Sequence, residues 1–378
     1  MDFQCTEQNI LYQKIAREFA EKELLPKAGP MDVSGEFPHD VVKKLAEAEL
    51  FGISVPQEYG GLGLDGISCA LIVEEIARAC ATISLIHHTP RIAMAVVQQF
   101  GSEEQKKKFL PPLARGEALA TFAVTEAQGS SDVLSATTQA VRKGDEYILN
   151  GRKSYITNGA TADYHFIFAR TQPEGGTKGF GIFVVEKDRP GFSVGKRERT
   201  LGLRASTLCE LNLQNVAVPA DHLLGAEGAG FKIAVYSLDW AKPYFALIAV
   251  GVAQAALDAS LKYAKERHTF GQPLGQHQAI QFYLADMAAQ IECCRLLAHK
   301  ALSLQDAGKP ADDVSTMAKF LCGDMVMQVT EKAMQIHGSA GYCADFPVER
   351  YFREAKCFQF AEGSAEMMRM LLARKLLR

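Results

Sequence analysis

The chain has 378 residues, of which 48% are hydrophobic and 22% charged, and its formal net charge is −3. This length predicts two or three domains, and the near-neutral charge gives no electrostatic argument for a nucleic-acid or membrane-surface partner. The nine cysteines show no metal-ligand or redox spacing, and no apolar run approaches the ~20 residues that span a bilayer. We therefore expect no metal site, no disulfide framework and no membrane span.

The N-terminal residues lack a basic segment followed by an apolar stretch, so they do not resemble a secretory signal. The cysteine pattern favours a reducing compartment. Together these features exclude a secreted protein, and we expect a cytoplasmic protein of bacterial type.

Helical periodicity dominates the chain from Thr6 to about Arg115. Apolar residues recur at four-residue spacing in the first helix, which should stop at Pro26. Pro38 should open the second helix. Further helices are predicted over Ile67–Cys80, Arg91–Phe100 and Glu103–Leu110, the last capped by Ser102.

Between about Leu119 and Gly225 the period drops to two. Short runs rich in β-branched and aromatic residues predict strands at 146–149, 164–170, 180–185 and 208–213. Turn signals separate them, at Asn150-Gly151, Asn158-Gly159 and Pro190-Gly191. This pattern predicts an antiparallel sandwich or barrel.

From Gly230 onward the chain is helical again, in unusually long segments. These are Phe245–Arg267, Gln278–Gln305, Ala311–His337 and Ser364–Leu377, which together predict a four-helix bundle. The fold class is therefore α+β multidomain. Its predicted parts are an N-terminal helical domain at 1–118, a central antiparallel β domain at 119–226 and a C-terminal four-helix bundle at 227–378.

The stretch Gly61–Gly66 matches G-x-G-x-x-G, the dinucleotide-binding fingerprint. That fingerprint works only between a strand and a helix of a βαβ unit. Here Pro56 interrupts the preceding apolar stretch and the surroundings are helical. We therefore interpret the motif as a glycine-rich turn.

Two segments of the β region combine aromatic and polar residues in ways that suit a ligand. Phe122–Glu126 leads into the polar loop Gly129–Asp132, whose backbone N–H groups and hydroxyls can bind an anion. Tyr155–Gly159 places a ring and a hydroxyl two residues apart at a strand end. Each also has an ordinary reading, as a turn or as cross-strand packing.

Two segments of the predicted bundle can also be interpreted either as ligand-binding or as purely structural. Arg267–Gly271 should end a long helix with Gly271 as its C-cap, and the helix dipole alone can account for the arginine there. Ser364 is a candidate N-cap for the last helix. Glu362 stands just outside that helix, either as a solvated loop residue or as a base aimed into a cleft.

Taken together, these segments resemble the acyl-CoA dehydrogenase family over essentially the whole chain. The order of the segments carries the resemblance. They are Val55–Gly63, Val124–Glu126 with Ser131-Asp132, Tyr155–Gly159, Leu238-Asp239, Arg267–Gly271, Gln335–Gly338, Val348–Arg350 and Glu362–Ser364.

The resemblance implies FAD, bound between the β domain and the bundle near a subunit boundary of a homotetramer. The implied cofactor-binding residues are Phe122, Val124, Thr125, Ser131, Tyr155, Thr157, Arg267, Phe270, Gln278, Gln335, Gly338, Ser364 and Glu366. The CoA moiety or the thioester would meet Ser131, Asp239 and Lys242. The implied reaction is α,β-dehydrogenation of an acyl-CoA, with electrons passed to an electron-transferring flavoprotein.

By its place in Glu-Gly-Ser, Glu362 would remove the α-proton while flavin N5 takes the β-hydride. Some family members carry the base on the bundle helix instead. That position is Ala241, which cannot abstract a proton. Glu362 therefore has no rival under this resemblance.

The chain departs from the family pattern at several positions. Lys242 stands for the usual arginine, and lysine does not reproduce a fork-like contact. Ala361 stands for the usual tyrosine beside the base, which opens volume and suggests a branched or cyclic acyl group. The usual Pro-Gly-Ala-Gly run is Ala127–Ser130, with larger side chains.

The family's acyl pocket is lined by the segment that corresponds to His87–Met94. Here that segment holds His88 and Arg91, and desolvating a charge beside a fatty tail is costly. Either these groups point to solvent or one of them meets a polar or carboxylate end of the substrate. A long fatty acyl chain is disfavoured.

Other functions remain open on this sequence. An acyl-CoA oxidase or an enoyl-CoA reductase on the same fold would share these residues. A DNA-binding flavoprotein of this fold would need a basic patch and a lost base, and a monooxygenase would be expected to lack the glutamate. The net charge of −3 and the presence of Glu362 argue against the last two.

Overall fold

The computed structural model describes residues 4–377, and its first part is helical as predicted. The helices are α1 (Glu7–Phe19), α2 (Leu25–Ser34), α3 (His39–Glu47), α4 (Gly66–Ala79), α5 (Ala81–Phe100) and α6 (Glu103–Ala114). Thr6 and Ser102 begin α1 and α6 through capping boxes. Asp65 caps α4, so the glycine-rich stretch is a turn before a helix, as interpreted from the sequence.

Two of these helices differ from the sequence prediction. The first helical rod does not stop at Pro26, because a π-helical segment (Ala20–Leu24) joins α1 to α2 and the proline lies in the first turn of α2. A proline there removes only an N–H that has no helical partner. Helix α5 begins at Ala81 rather than Arg91 and passes through Pro90.

A single curled sheet of seven strands forms the central part. Its strands are β1 (Ala120–Ala123), β2 (Gln139–Lys143), β3 (Glu146–Ile156), β4 (Tyr164–Arg170), β5 (Phe180–Glu186), β6 (Phe192–Arg197) and β7 (Cys209–Pro219). Four neighbouring pairs are antiparallel, whereas β4 runs parallel to β1 and, at one residue pair, to β2.

One predicted turn of the sheet is wrong. Asn150-Gly151 lies inside β3, at a register shift against β7. A Cβ on Gly151 would come within 2.5 Å of the Thr138 hydroxyl, so this glycine permits a close strand approach. Asn158 and Gly191 do lie in turns, each with positive φ.

The C-terminal part is helical, with helices α7 (Gly230–Glu266), α8 (Gln278–Asp306), α9 (Asp312–His337), α10 (Val348–Ala355), α11 (Cys357–Phe360) and α12 (Ala365–Leu376). The expected C-cap at Gly271 is wrong. Arg267 is the C-cap of α7, and Gly271 lies in the turn of a small hairpin of β8 (His268–Thr269) and β9 (Gln272–Pro273).

Helix α7 is the central element, packed against α4, α5, α8 and α9. In the described chain it alone has the length and mean hydropathy, 1.6 over 18 residues, of a possible membrane span. Because 78% of that window is buried inside the protein, the apolar surface of α7 is already used in the core. Gly251 lets α7 approach α4, since a Cβ there would lie 2.6 Å from the Ala77 Cβ.

Gly251→Ala should therefore push α7 away from α4 and lower the free energy of unfolding by about 1–3 kcal/mol. Gly29→Ala is the matched control, because the nearest atom to its Cβ would be 3.5 Å away, at the end of the Arg350 side chain. Urea unfolding followed by circular dichroism compares the two variants. Equal stabilities would contradict the close approach of α7 and α4.

Candidate active site

The bend between α11 and α12 carries Glu362. Ser364 begins α12 as its N-cap and accepts a hydrogen bond from the Met367 N–H, as the sequence predicts. Glu362 and Gly363 both have positive φ, 53° and 92°. A left-handed glutamate is uncommon, and such strain persists only where the surroundings impose it.

The Glu362 carboxylate is held at one oxygen and free at the other. Its Oε1 lies 3.0 Å from Nε2 of His88 on α5. Its Oε2 is buried and has no hydrogen-bond partner among residues 4–377. The side chain is only 16% exposed, so the alternative of a solvated loop glutamate is wrong.

Lys319 of α9 stabilises the backbone of the bend. Its buried ammonium donates hydrogen bonds to the Gly363 and Gln359 carbonyls. Burial lowers the pKa of Lys319 to about 8, although the nearby charge of Glu362 raises it. The lysine therefore fixes the backbone on both sides of Glu362.

His88 and Arg91 lie in the core, so the solvent-facing alternative is wrong for both: each is 0% exposed. The His88 ring stacks on Trp240 at 6.5 Å, and the Arg91 guanidinium lies 4.3 Å from the Tyr244 ring and 5.4 Å from the Trp240 ring. The early start of α5 explains this burial, because it places both residues inside a long interior helix. Sequence reasoning missed the two aromatic residues, whose four-residue spacing on α7 was the available signal.

The two polar segments of the β region are neighbours. The Ser154 N–H donates to the Thr125 carbonyl at 2.9 Å, and the Thr121 hydroxyl donates to the Thr157 carbonyl at 2.7 Å. Tyr155 sits at the end of β3 with φ 57° and is 58% exposed. An exposed ring in a strained conformation is suited to covering a planar ligand.

One hydrogen bond connects this segment to the carboxylate. The Asn158 side chain donates from Nδ2 to the Ile86 carbonyl of α5 at 2.9 Å, and the bond is buried. Two residues further along α5, His88 contacts Glu362. The β segment that carries Tyr155 and the bend that carries the carboxylate are therefore anchored to the same stretch of α5.

A buried ion pair locks the first β segment. Lys153 Nζ lies 2.8 Å from Glu126 Oε1 and 3.1 Å from the Val124 carbonyl. The same carboxylate accepts from the Thr137 and Thr138 backbone N–H groups. Burial raises the pKa of Glu126, but the Lys153 charge and these hydrogen bonds outweigh it and hold that pKa well below its usual range.

The residues that were predicted to contact the CoA moiety or the substrate do not form one cluster. Lys242 is buried, with Nζ 2.6 Å from Asp239 Oδ1 and 3.3 Å from the Thr316 hydroxyl. These contacts turn the ammonium into the bundle, which gives no support to a CoA contact. Ser131 is exposed on its loop, and Ala361 is half-buried beside the carboxylate.

The other cofactor candidates lie at the far end of the bundle. Rings of Tyr263 and His337 stack at 4.3 Å and bring the ends of α7 and α9 together. The exposed candidates at or next to this end are Arg267, Phe270, Gln278, Gln335 and Gly338. Along α9 this end is about 24 Å from Lys319, at 1.5 Å per residue, and one chain does not bring these residues to Glu362. Glu366 is exposed on α12, and Phe270 is 96% exposed.

Three family models match the chain in sequence order. They are the N-terminal, middle and C-terminal domains of acyl-CoA dehydrogenase, over residues 6–117, 121–216 and 228–377. The chain belongs to the acyl-CoA dehydrogenase family. Family members are generally FAD-dependent enzymes.

Two curated relatives illustrate the similarity. An acyl-CoA dehydrogenase of Bacillus subtilis is 42% identical, and the alignment covers 98% of each chain. A short-chain-specific acyl-CoA dehydrogenase of Clostridium acetobutylicum is 40% identical and is covered in full, as is this chain.

Solved structures agree over the whole fold. A chain from a structure described as the electron transferring flavoprotein of Acidaminococcus fermentans has a TM-score of 0.98 and 42% identity, with both chains fully covered. Butyryl-CoA dehydrogenase of Megasphaera elsdenii matches at 0.98 and 39%, also in full. Glutaryl-CoA dehydrogenase in complex with glutaryl-CoA matches at 0.96 and 36%, covering 100% of this chain and 97% of that one.

The residues present fit a flavin at the Tyr155 segment. The exposed ring of Tyr155 and the half-buried Thr125 and Thr157 lie on neighbouring backbone segments. Helix α5 contacts this region through the Ile86 carbonyl and contacts Glu362 through His88. An aromatic ring with neighbouring hydroxyls suits a planar, polar-edged ring system.

Glu126→Gln should leave the Lys153 ammonium buried and unpaired, at a cost of about 3–5 kcal/mol in unfolding free energy. The double variant Glu126→Gln, Lys153→Met should lose less than the sum of the single variants. A double-mutant cycle from denaturant unfolding measures this coupling. Strictly additive losses would contradict the buried pair.

Lys319 predicts a pH dependence of stability. Its pKa is about 8 in the folded protein against an ordinary 10.5, so the unfolded chain binds more protons between these values. Stability from this group therefore rises with pH across that window. As pH rises from 8 to 10.5, the unfolding free energy of the native protein should increase relative to that of Lys319→Met. A difference between the two proteins that does not change with pH would argue against burial of the ammonium.

Proposed function

We propose that this enzyme uses FAD to form the α,β double bond of an acyl-CoA thioester, with Glu362 as the base that removes the α-proton. The observation that carries the proposal is the Glu362 carboxylate, whose Oε2 is buried and unpartnered. Its bend is linked through α5 to the Tyr155 segment, where the flavin ring would bind.

The contacts of Glu362 suggest different roles for its two carboxylate oxygens. The hydrogen bond at Oε1 orients the carboxylate, and Oε2 is left to accept the α-proton. As negative charge develops on the thioester oxygen, the backbone N–H of Glu362 would donate a hydrogen bond to it. One donor of this kind is worth about 2.7–4 kcal/mol in other enzymes.

The chain would hold FAD with two sets of residues. Phe122, Val124, Thr125, Tyr155 and Thr157 would contact the flavin ring, with Ser131, Ser364 and Glu366 near it. When bound, FAD supplies the acceptor for the β-hydride. The distant residues Arg267, Phe270, Gln278, Gln335 and Gly338 would hold the other end of a cofactor in a neighbouring subunit, which is why we propose a homotetramer.

The proposed substrate carries a short, branched, cyclic or polar-ended acyl group. Support comes from the buried His88 and Arg91 and the half-buried Trp240, which pack together next to Glu362 and place polar groups there rather than a purely apolar lining. The butyryl-CoA and glutaryl-CoA dehydrogenases among the similar structures act on small acyl groups. We propose an electron-transferring flavoprotein as electron acceptor and a cytoplasmic location.

Glu362→Gln should retain FAD but lose the bleaching of its visible absorbance by substrate, because the amide cannot accept the α-proton. Anaerobic mixing with a panel of short, branched, cyclic and dicarboxylic acyl-CoA thioesters measures this loss. Glu58→Gln, a change of the same kind at an exposed site, is the control and should bleach normally. Normal turnover by Glu362→Gln would place the base elsewhere.

The electron acceptor separates a dehydrogenase from an oxidase. Stopped-flow mixing of the reduced enzyme with an electron-transferring flavoprotein or with oxygen measures both reoxidation rates. We expect fast reoxidation by the flavoprotein and slow reoxidation by oxygen. The opposite order would indicate an acyl-CoA oxidase.

A further inference from the structure

Lys319 is a buried ammonium that binds backbone carbonyls instead of a carboxylate. The residue is 1% exposed, and its Nζ donates hydrogen bonds to the Gly363 and Gln359 carbonyls. Within residues 4–377 no carboxylate lies at ion-pairing distance from Nζ, and the nearby Glu362 carboxylate contacts His88 instead. A buried charge without a counter-ion lowers stability. The two hydrogen-bonded carbonyls are therefore the groups through which this charge can act.

These carbonyls lie on opposite sides of Glu362. Gln359 is in the last turn of α11, whose terminal carbonyls have no partner within the helix. Gly363 follows Glu362 directly, and both of these residues are left-handed, with φ of 92° and 53°. One ammonium thus bridges the two ends of segment 359–363, which presents the carboxylate.

The packing of α9 against α11 brings the ammonium to this segment. Gly323 lies one helical turn after Lys319 on the same face of α9, and a Cβ there would come within 2.5 Å of a carbonyl oxygen of α11. The Asp324 carboxylate also accepts a hydrogen bond from the Gln359 side chain at 3.0 Å. Gln359 is therefore anchored to α9 by two contacts, and Lys319 connects this anchored end to Gly363.

Titratable groups face Lys319 from four elements. They are Glu362 on the bend, Cys357 on α11, Glu366 on α12 and Lys242 on α7. Burial lowers the pKa of Lys319 to about 8, the three acidic groups raise it, and Lys242 lowers it further. A neutral amine keeps two N–H groups, but hydrogen bonds from a charged donor are about twice as strong. Deprotonation of Lys319 therefore weakens the bridge without removing it.

Glu362 contributes two groups to the proposed reaction, its carboxylate and its backbone N–H, and both lie inside the bridged segment. Resting on the proposed function, we infer that Lys319 is a positioning residue of the dehydrogenation, whose charged form holds Glu362 in its reactive orientation. Loss of the charge or of the side chain loosens the bend, so the carboxylate and the N–H no longer meet the thioester together. Lys319 acts through Glu362 and takes no proton from the substrate.

Stopped-flow bleaching of the FAD-loaded enzyme separates this role from substrate binding. The probe is the thioester of the panel that bleaches the native enzyme fastest. Lys319→Met should lower the limiting bleaching rate about 100-fold, the effect of a misplacement of about 1 Å, while the half-saturating concentration changes little. Lys319→Arg should recover much of the rate, because a guanidinium can donate to the same carbonyls. Lys309→Met, at an exposed site, is the control and should bleach normally.

The pH profile distinguishes a charged hydrogen-bond donor from a merely structural residue. Since kcat/KM reports groups of the free enzyme, its value for the native enzyme should fall as pH rises through about 8. The decline should be absent from Lys319→Met, which has no titrating group there, and from Lys319→Arg, which stays charged. Deprotonation of Lys319 stabilises the fold over the same range, so unfolding linked to this residue does not produce the decline.

Hydrogen–deuterium exchange gives a readout that does not depend on turnover. At neutral pH and without thioester, the backbone amides of residues 359–363 should exchange about 10-fold faster or more in Lys319→Met than in the native protein. An effect of this size is expected for the loss of a hydrogen bond from a charged group. Lys309→Met should exchange at the native rate.

Failure of this inference is distinguishable from failure of the proposed function. If no thioester bleaches the flavin, the proposed function fails. Bleaching or amide exchange at the native rate in Lys319→Met, with bleaching lost in Glu362→Gln, overturns only the positioning role, as does an alkaline decline that persists in Lys319→Met. Should Lys319→Met not fold, the native enzyme and Lys319→Arg still decide, because a native kcat/KM that does not fall through about pH 8 contradicts the inference.

Discussion

The placement of one carboxylate governs the organisation of this protein. Glu362 sits on a left-handed bend that belongs to no helix or strand, and three neighbouring helices hold it in place. Helix α12 begins at the Ser364 cap, α9 contributes Lys319 to the bend carbonyls, and α5 contributes His88 to one carboxylate oxygen. Because each support comes from a different part of the chain, the site forms only when the helical parts have assembled.

Helix α5 couples the two halves of the site. It accepts a hydrogen bond from Asn158 of the β part at the Ile86 carbonyl and contacts Glu362 through His88. The buried Glu126–Lys153 pair makes the β part rigid two residues before Tyr155, in the segment where we propose that the flavin binds. A catalytic geometry spread over three regions is thus tied to interior contacts rather than to surface loops, which favours preorganisation.

Periodicity and caps predicted most of the helices, because signals such as Ser102 and Ser364 act locally. The helix boundaries predicted near two prolines were wrong, because the effect of a proline depends on its position in the helix. Pro26 lies in the first turn of α2, and Pro90 lies within α5. The resemblance to the family pointed to Glu362. The spacing of Trp240 and Tyr244 places the two rings on one face of α7, but the burial of Arg91 against them could not be predicted, because it depends on how α5 and α7 pack.

The central claim is that Glu362 itself removes the α-proton, and proton removal can be measured apart from hydride transfer. A 3-thia-acyl-CoA has sulfur in place of the β-carbon and so cannot deliver a hydride, but it retains acidic α-hydrogens. Incubated in deuterium oxide with the FAD-loaded enzyme, it should exchange these hydrogens for deuterium, as followed by proton NMR. We predict rapid exchange with the native enzyme and none above background with Glu362→Gln; exchange at the native rate in that variant would contradict the account.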